Sequence, residues 1–155
     1  MSDELEQLYQ EVILDHSRRP HGRGLTGGTD ASSHQINPTC GDEVTFELHL
    51  DDDGRIADGR WDGHGCAISQ ASASLLSVVV PGLTAAELRE RIDGFRTAMR
   101  SRGAIAPDEE LVGDAAALAG VSRYPARVKC AMLAWVAAED ALQHVPAVGE
   151  RPVVE

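Results

Sequence analysis

The apolar positions along the chain follow two periods, and the switches between them mark the elements. Leu5, Leu8, Tyr9, Val12 and Ile13 recur at helical spacing, which predicts a first helix over about Asp3 to Asp15. Asp3, Glu4 and Glu6 suit the positive end of its dipole. A Gly/Ser/Thr-rich loop follows to about Ser33. Val44 to Leu50 alternates with period two and reads as a strand. Asp51-Asp52-Asp53-Gly54 is a turn, and Arg55 to Trp61 returns as the second arm of a hairpin. His34 to Asn37 supplies a third strand. After Gly63 the helical period resumes through Ile68, Ala71, Leu75, Val78 and Val79, until Pro81-Gly82. Thr84-Ala85-Ala86-Glu87 is a capping box that opens a helix with the face Leu88, Ile92, Phe95 and Met99. Ser101 to Pro107 is a loop, Asp108 to Ala119 a short helix ended by Gly120. Pro125 starts a last helix that reaches about His144. The expected architecture is α+β: a small antiparallel sheet of about three strands packed against about five helices. Residues 1–145 form one domain, and the tail 146–155, with two prolines in 145–155 and no periodicity, is expected to be flexible.

Composition narrows the function classes. A chain of 155 residues with 43% hydrophobic and 25% charged residues is a globular protein of one ordinary domain. Its formal charge of −11 argues against nucleic-acid and anionic-membrane partners. The apolar stretch around Leu75 to Val80 is too short to cross a bilayer. The acidic N-terminus shows no secretory signal, so a cytoplasmic location is expected. Lys129 is the only lysine among 14 basic residues.

Three cysteines, an odd number in a reducing compartment, argue against a disulfide framework. Cys40 lies in Asn37-Pro38-Thr39-Cys40-Gly41-Asp42, where a turn could aim a thiolate and a carboxylate at one point. A turn in which Asp42 only bonds its own backbone is the simpler alternative. Cys66 lies in Gly63-His64-Gly65-Cys66, at the start of a helix, where backbone N–H groups stabilise a thiolate. His64 is a further ligand candidate. Cys130 is flanked by Arg127 and Lys129, cations that would lower its thiol pKa if close. It also shares a face with Leu133, Ala137 and Ala141, so a core role is open to it. Together Cys40, Asp42, Cys66 and Cys130 make a candidate Cys₃Asp site of the hard–soft kind that zinc accepts. The other histidines lack metal-type spacing and read as surface residues.

These segments resemble the SufU-type proteins of the IscU/NifU-N iron–sulfur assembly superfamily, over nearly the whole chain from Tyr9 to Leu142. The pieces that carry the likeness are Asn37 to Asp42, Gly63 to Ser69 and Arg127 to Ala131. Scaffolds of the superfamily carry a histidine before the third cysteine and a Leu-Pro-Pro-Val-Lys segment. Here Lys129 holds the histidine position and Arg123-Tyr124-Pro125-Ala126-Arg127 replaces the segment. The resemblance implies zinc on Cys40, Asp42, Cys66 and Cys130. It also implies a sulfurtransferase that accepts persulfide sulfur on Cys40 from a PLP-dependent cysteine desulfurase of the SufS type. Arg127 would orient that partner, and a cluster-assembly complex would receive the sulfur. An iron–sulfur cluster scaffold and a domain with a purely structural zinc remain as alternatives.

Overall fold

A computed structural model describes residues 3–29, 31–39 and 41–144. The tail from 145 onward, expected to be flexible, lies outside the described residues. Five α-helices and one sheet follow in the order α1 (Asp3–Arg18), β1 (Ser32–Asn37), β2 (Asp42–Leu50), β3 (Ile56–His64), α2 (Ala67–Val79), α3 (Ala85–Arg100), α4 (Glu109–Val112), a 3₁₀ helix (Gly113–Arg123) and α5 (Pro125–Leu142). The sheet is antiparallel in the order β1-β2-β3. No helix among the described residues is long and apolar enough to cross a membrane.

The sheet buries one face. Val44, Phe46 and Leu48 of β2 point inward at alternate positions, joined by Ile56 and Trp61 of β3. Helix α5 lies against this face and is enclosed by α2 and α3 as well. From Cys130 to Leu142 only Val136, Glu139 and Asp140 are more than marginally exposed. A helix apolar on nearly every side belongs in a core. Trp135 is wholly buried and stacks on Phe95 of α3 with ring centroids 4.0 Å apart. Its indole N–H donates to Ser72 Oγ (2.9 Å), whose hydroxyl donates to the Ala131 carbonyl (2.5 Å). One serine of α2 thereby satisfies two buried polar groups of α5.

The expected capping box forms: Glu87 N–H donates to Thr84 Oγ1, and Thr84 N–H donates to the Glu87 carboxylate. The expected helix over 108–119 does not form as one element. Asp108 caps a single α-turn, after which Gly113 takes φ 55° and the chain continues as a 3₁₀ helix to Arg123. A positive φ ends an α-helix, and Ala115 to Leu118 are then buried consecutively rather than along a stripe. The strands are also longer than the alternation suggests, because their polar ends pair. Ser32 opposes Glu47, and Glu43 opposes His64. His16 and His21 are not surface residues without partners. Each places Nδ1 within 2.7 Å of a buried serine hydroxyl of α2, Ser74 for His16 and Ser77 for His21. These bonds fasten the end of α1 and the following loop.

That loop is also held by Glu47, a buried carboxylate of β2. It accepts the N–H groups of Thr26 and Gly27 and lies 3.1 Å from His49 Nε2. Burial acts to raise its pKa, but the bonds from His49, Thr26 and Gly27 outweigh this and hold it below the ordinary 4.5.

Two outcomes follow. Trp135→Ala removes a fully buried indole and should destabilise the fold by about 3–5 kcal/mol, whereas Ser72→Ala, which strands the indole N–H, should cost about 1–3 kcal/mol. Urea unfolding followed by circular dichroism measures both. Because the Glu47 pKa is lower folded than unfolded, its contribution is present above the unfolded value and fades as pH falls through the folded one. Glu47→Gln should therefore be less stable than the parent near neutral pH, and the gap should close on acidification. A gap independent of pH would remove the carboxylate from the account.

Candidate metal centre

Strand register brings the first two site residues together. Glu43 pairs with His64, so Asp42 and Gly65 face each other one step further along the ladder. Asp42 is 2% exposed and Oδ1 accepts the Cys66 N–H at 3.0 Å. Gly65 makes this possible: a Cβ there would fall 2.6 Å from both Asp42 Cγ and Ser69 Oγ. Gly63 is equally constrained, since its Cβ would strike the Glu43 backbone. The two glycines clear the space through which β2 reaches the start of α2. Asn37 holds the turn before Asp42: its Oδ1 accepts the Thr39 N–H and its carbonyl accepts the Gly41 N–H. Gly41 sits at φ 77°, a conformation glycine adopts at little cost.

Cys66 is the N-cap residue of α2, as its flanking glycines suggest, and it is exposed. Its carbonyl accepts the Gln70 N–H and the Ser69 hydroxyl, so the residue is fixed by its backbone and the sulfur stays available. Cys130 comes from the second turn of α5 and is buried, 7% exposed. Its thiol lies 3.9 Å from the Ala126 carbonyl one turn back.

Asp42, Cys66 and Cys130 converge: one ligand atom from each lies within 4.8 Å of the others. The Cys66 sulfur is 3.5 Å from Asp42 Oδ2. A tetrahedral zinc with bonds of about 2.3 Å to sulfur and about 2.0 Å to oxygen sets those atoms about 3.5 Å apart. Two thiols and a carboxylate therefore fit the donor set and spacing that zinc takes. Cys40, the fourth member of the expected set, lies outside the described residues, in the connection between Asn37 and Asp42.

Arg127 and Lys129 are both exposed and stand on different sides of α5. Arg127 joins Tyr9, Ile13, Ile68, Ile105 and Tyr124 around an open groove of about 590 Å³. Lys129 faces a second groove behind α5. His64 points to neither sulfur among the contacts observed; its Nε2 lies 2.5 Å from Glu43. Glu43 also contacts His34 at 3.1 Å; the bond from His34 outweighs the opposing effect of burial and, with the smaller contribution of the bond from His64, holds the carboxyl below its ordinary pKa. Sequence reading missed this His34–Glu43–His64 cluster. The only signal was register, since Glu43 follows Asp42 and its partner His64 precedes Gly65.

Comparison with known proteins agrees with this fold and these motifs. A curated protein of Streptococcus pyogenes, named an iron-sulfur cluster assembly scaffold protein IscU, is 38% identical over 139 residues, 90% of this chain and 85% of that one. One of Bacillus subtilis, named zinc-dependent sulfurtransferase SufU, is 37% identical over 135 residues, covering 87% and 89%. The solved N-terminal domain of a NifU-like protein of Brucella abortus superposes with a TM-score of 0.78 at 28% identity, covering 91% of this chain and 96% of that one. The family model for the NifU-like N terminal domain matches residues 8–144. This chain therefore belongs to the NifU-like N-terminal domain family, the superfamily of the IscU and SufU iron–sulfur cluster assembly proteins.

Proposed function

We propose that this protein is a zinc-dependent sulfurtransferase of iron–sulfur cluster biogenesis. It takes sulfur from a PLP-dependent cysteine desulfurase of the SufS type and passes it to a cluster-assembly complex. The observation that carries the reading is the convergence of Asp42, Cys66 and Cys130 on one point. Cys40 completes the ligand set in this proposal. Zinc, when bound, keeps thiols ionised at neutral pH without redox chemistry of its own.

The division of labour follows from the elements. Cys66 and Cys130 are fixed by helices and Asp42 by its bond to the Cys66 N–H, so these three hold metal. Cys40, which precedes Gly41 in the sequence between β1 and β2, belongs to neither a helix nor that bonded pair. It is the sulfur acceptor. The Cys40 thiolate attacks the terminal sulfur of the partner's persulfide. A new S–S bond forms at Cys40, the partner's S–S bond breaks, and the partner cysteine leaves as a thiolate. No atom is oxidised or reduced overall, so no further reactant is needed. Arg127, exposed on the groove rim three residues before Cys130, orients the docked desulfurase.

The scaffold reading is kept because a relative named as a scaffold is as similar as the one named as a sulfurtransferase. Lys129 at the position where scaffolds of the superfamily carry a histidine weighs against it.

Metal analysis decides between them. Purified anaerobically, the protein should carry one colourless zinc per chain, and chelation should lower its melting temperature. Zinc at a hundredfold excess over its dissociation constant should restore about 2.7 kcal/mol. Asp42→Ala and Cys66→Ser should each lose the metal. Stoichiometric iron with a visible chromophore would instead establish the scaffold.

The acceptor assignment is tested in a desulfurase turnover assay with persulfide trapping and mass spectrometry. The extra sulfur should appear on Cys40, and Cys40→Ser should abolish desulfurase stimulation while leaving the fold intact. Arg127→Ala should weaken stimulation chiefly by raising the concentration of this protein needed for half-maximal effect. Persulfide on Cys66 or Cys130 with a fully active Cys40→Ser variant would overturn the assignment.

A further inference from the structure

Behind α5 lies a second groove, of about 490 Å³, between α3 and α5. Val128, Met132 and Val136 of α5 line it one turn apart, and Met99 of α3 faces them. Cys130 is two residues from both Val128 and Met132, or about 200° around the helix, so the groove and the metal centre occupy opposite sides of α5. Two of the three methionines in the chain are here. Both are buried, Met99 1% and Met132 8% exposed, and they form the floor beneath the half-buried Val128 and Val136.

The rim has the opposite sign to the rest of the molecule. In a protein of charge −11, Arg96, Arg100, Arg102 and the single lysine, Lys129, surround this groove, with Glu139 as its one acidic residue. Glu139 is already committed, in a two-pronged pair with Arg96 at 2.5 and 3.0 Å. Among the described residues Arg100, Arg102 and Lys129 make no ion pair. Arg102 is in addition the one non-glycine residue among those described with a positive φ, 56°. Arginine is an unfavourable choice at such a position, where glycine or asparagine costs less.

We infer that the α3/α5 groove is a docking site for an acidic amphipathic helix of a partner protein. Its apolar side chains would lie on Val128 and Val136, over the buried Met132, and its carboxylates would meet Arg100, Arg102 and Lys129. The site is independent of the metal chemistry, and a partner held there leaves the exposed Cys66 open.

The test uses the full chain and a fluorescein-labelled helical peptide of about five turns, built from glutamate, leucine and alanine with leucines at i and i+4. A control carries lysine in place of glutamate. The glutamate peptide should bind saturably and more weakly as salt rises, while the lysine peptide should not bind. The double variant Arg100→Glu, Arg102→Asn should weaken binding about tenfold or more, with an unchanged or higher melting temperature because asparagine tolerates the backbone at 102. In the methionine-methyl NMR spectrum, Met99 and Met132 should shift on titration. Equal binding of the two peptides, wild-type affinity in the double variant, or unmoved methionine signals would overturn the inference. So would displacement of the peptide by inorganic phosphate, which would mean a simple anion site. A dimer in sedimentation that the double variant dissociates would assign the groove to a second copy of this chain.

Discussion

From Cys130 onward helix α5 has almost no solvent face, and that constraint organises the molecule. Residues 130 to 135 are all buried, as are Ala137, Ala138, Ala141 and Leu142. A helix so enclosed must be covered on one side by the sheet and on others by α2 and α3. Its small residues, alanine at positions 131, 134, 137, 138 and 141, let those neighbours approach closely. Trp135 is the large exception. It is accommodated by stacking on Phe95 and by a serine, Ser72, that takes up its only polar group. The bond from Ser72 to the Ala131 carbonyl fixes α2 along α5 next to Cys130, and so fixes the start of α2 relative to that sulfur.

The metal centre is the place where this helical pair meets the sheet. β3 runs directly through Gly63 and Gly65 into α2, and β2 lies beside it in register. The Asp42 carboxylate then accepts the Cys66 N–H. A buried carboxylate needs a bond of this kind. The arrangement therefore gives three ligand atoms from distant parts of the chain one meeting point. It leaves Cys66 exposed where a partner can reach it. The same helix that supplies Cys130 from one side presents a basic, methionine-floored groove from the other.

Much of this was legible in the chain itself. The period-two run of β2, the helical stripes of α1, α2 and α3, the Thr84 capping box and the Pro125 start of α5 all depend on local chemistry, which the sequence displays directly. The short helix expected over 108–119 was misread because Ala115 to Leu118 are buried by what surrounds them, not by a stripe of their own. The serine partners of His16 and His21 were not legible for a related reason: they lie more than fifty residues away in α2.

The sequence by itself determined the α+β class, the family motifs and the residue types of the site, because glycine spacing, cysteine context and hydrophobic period are local properties. Only the tertiary structure decided that Asp42 meets the Cys66 N–H, and that Arg127 and Lys129 serve different grooves. It also decided that Glu43 gathers two histidines at the edge of the site. Each of these depends on strand register or on the rotation of α5, and both are set by long-range packing that no stretch of chain carries alone.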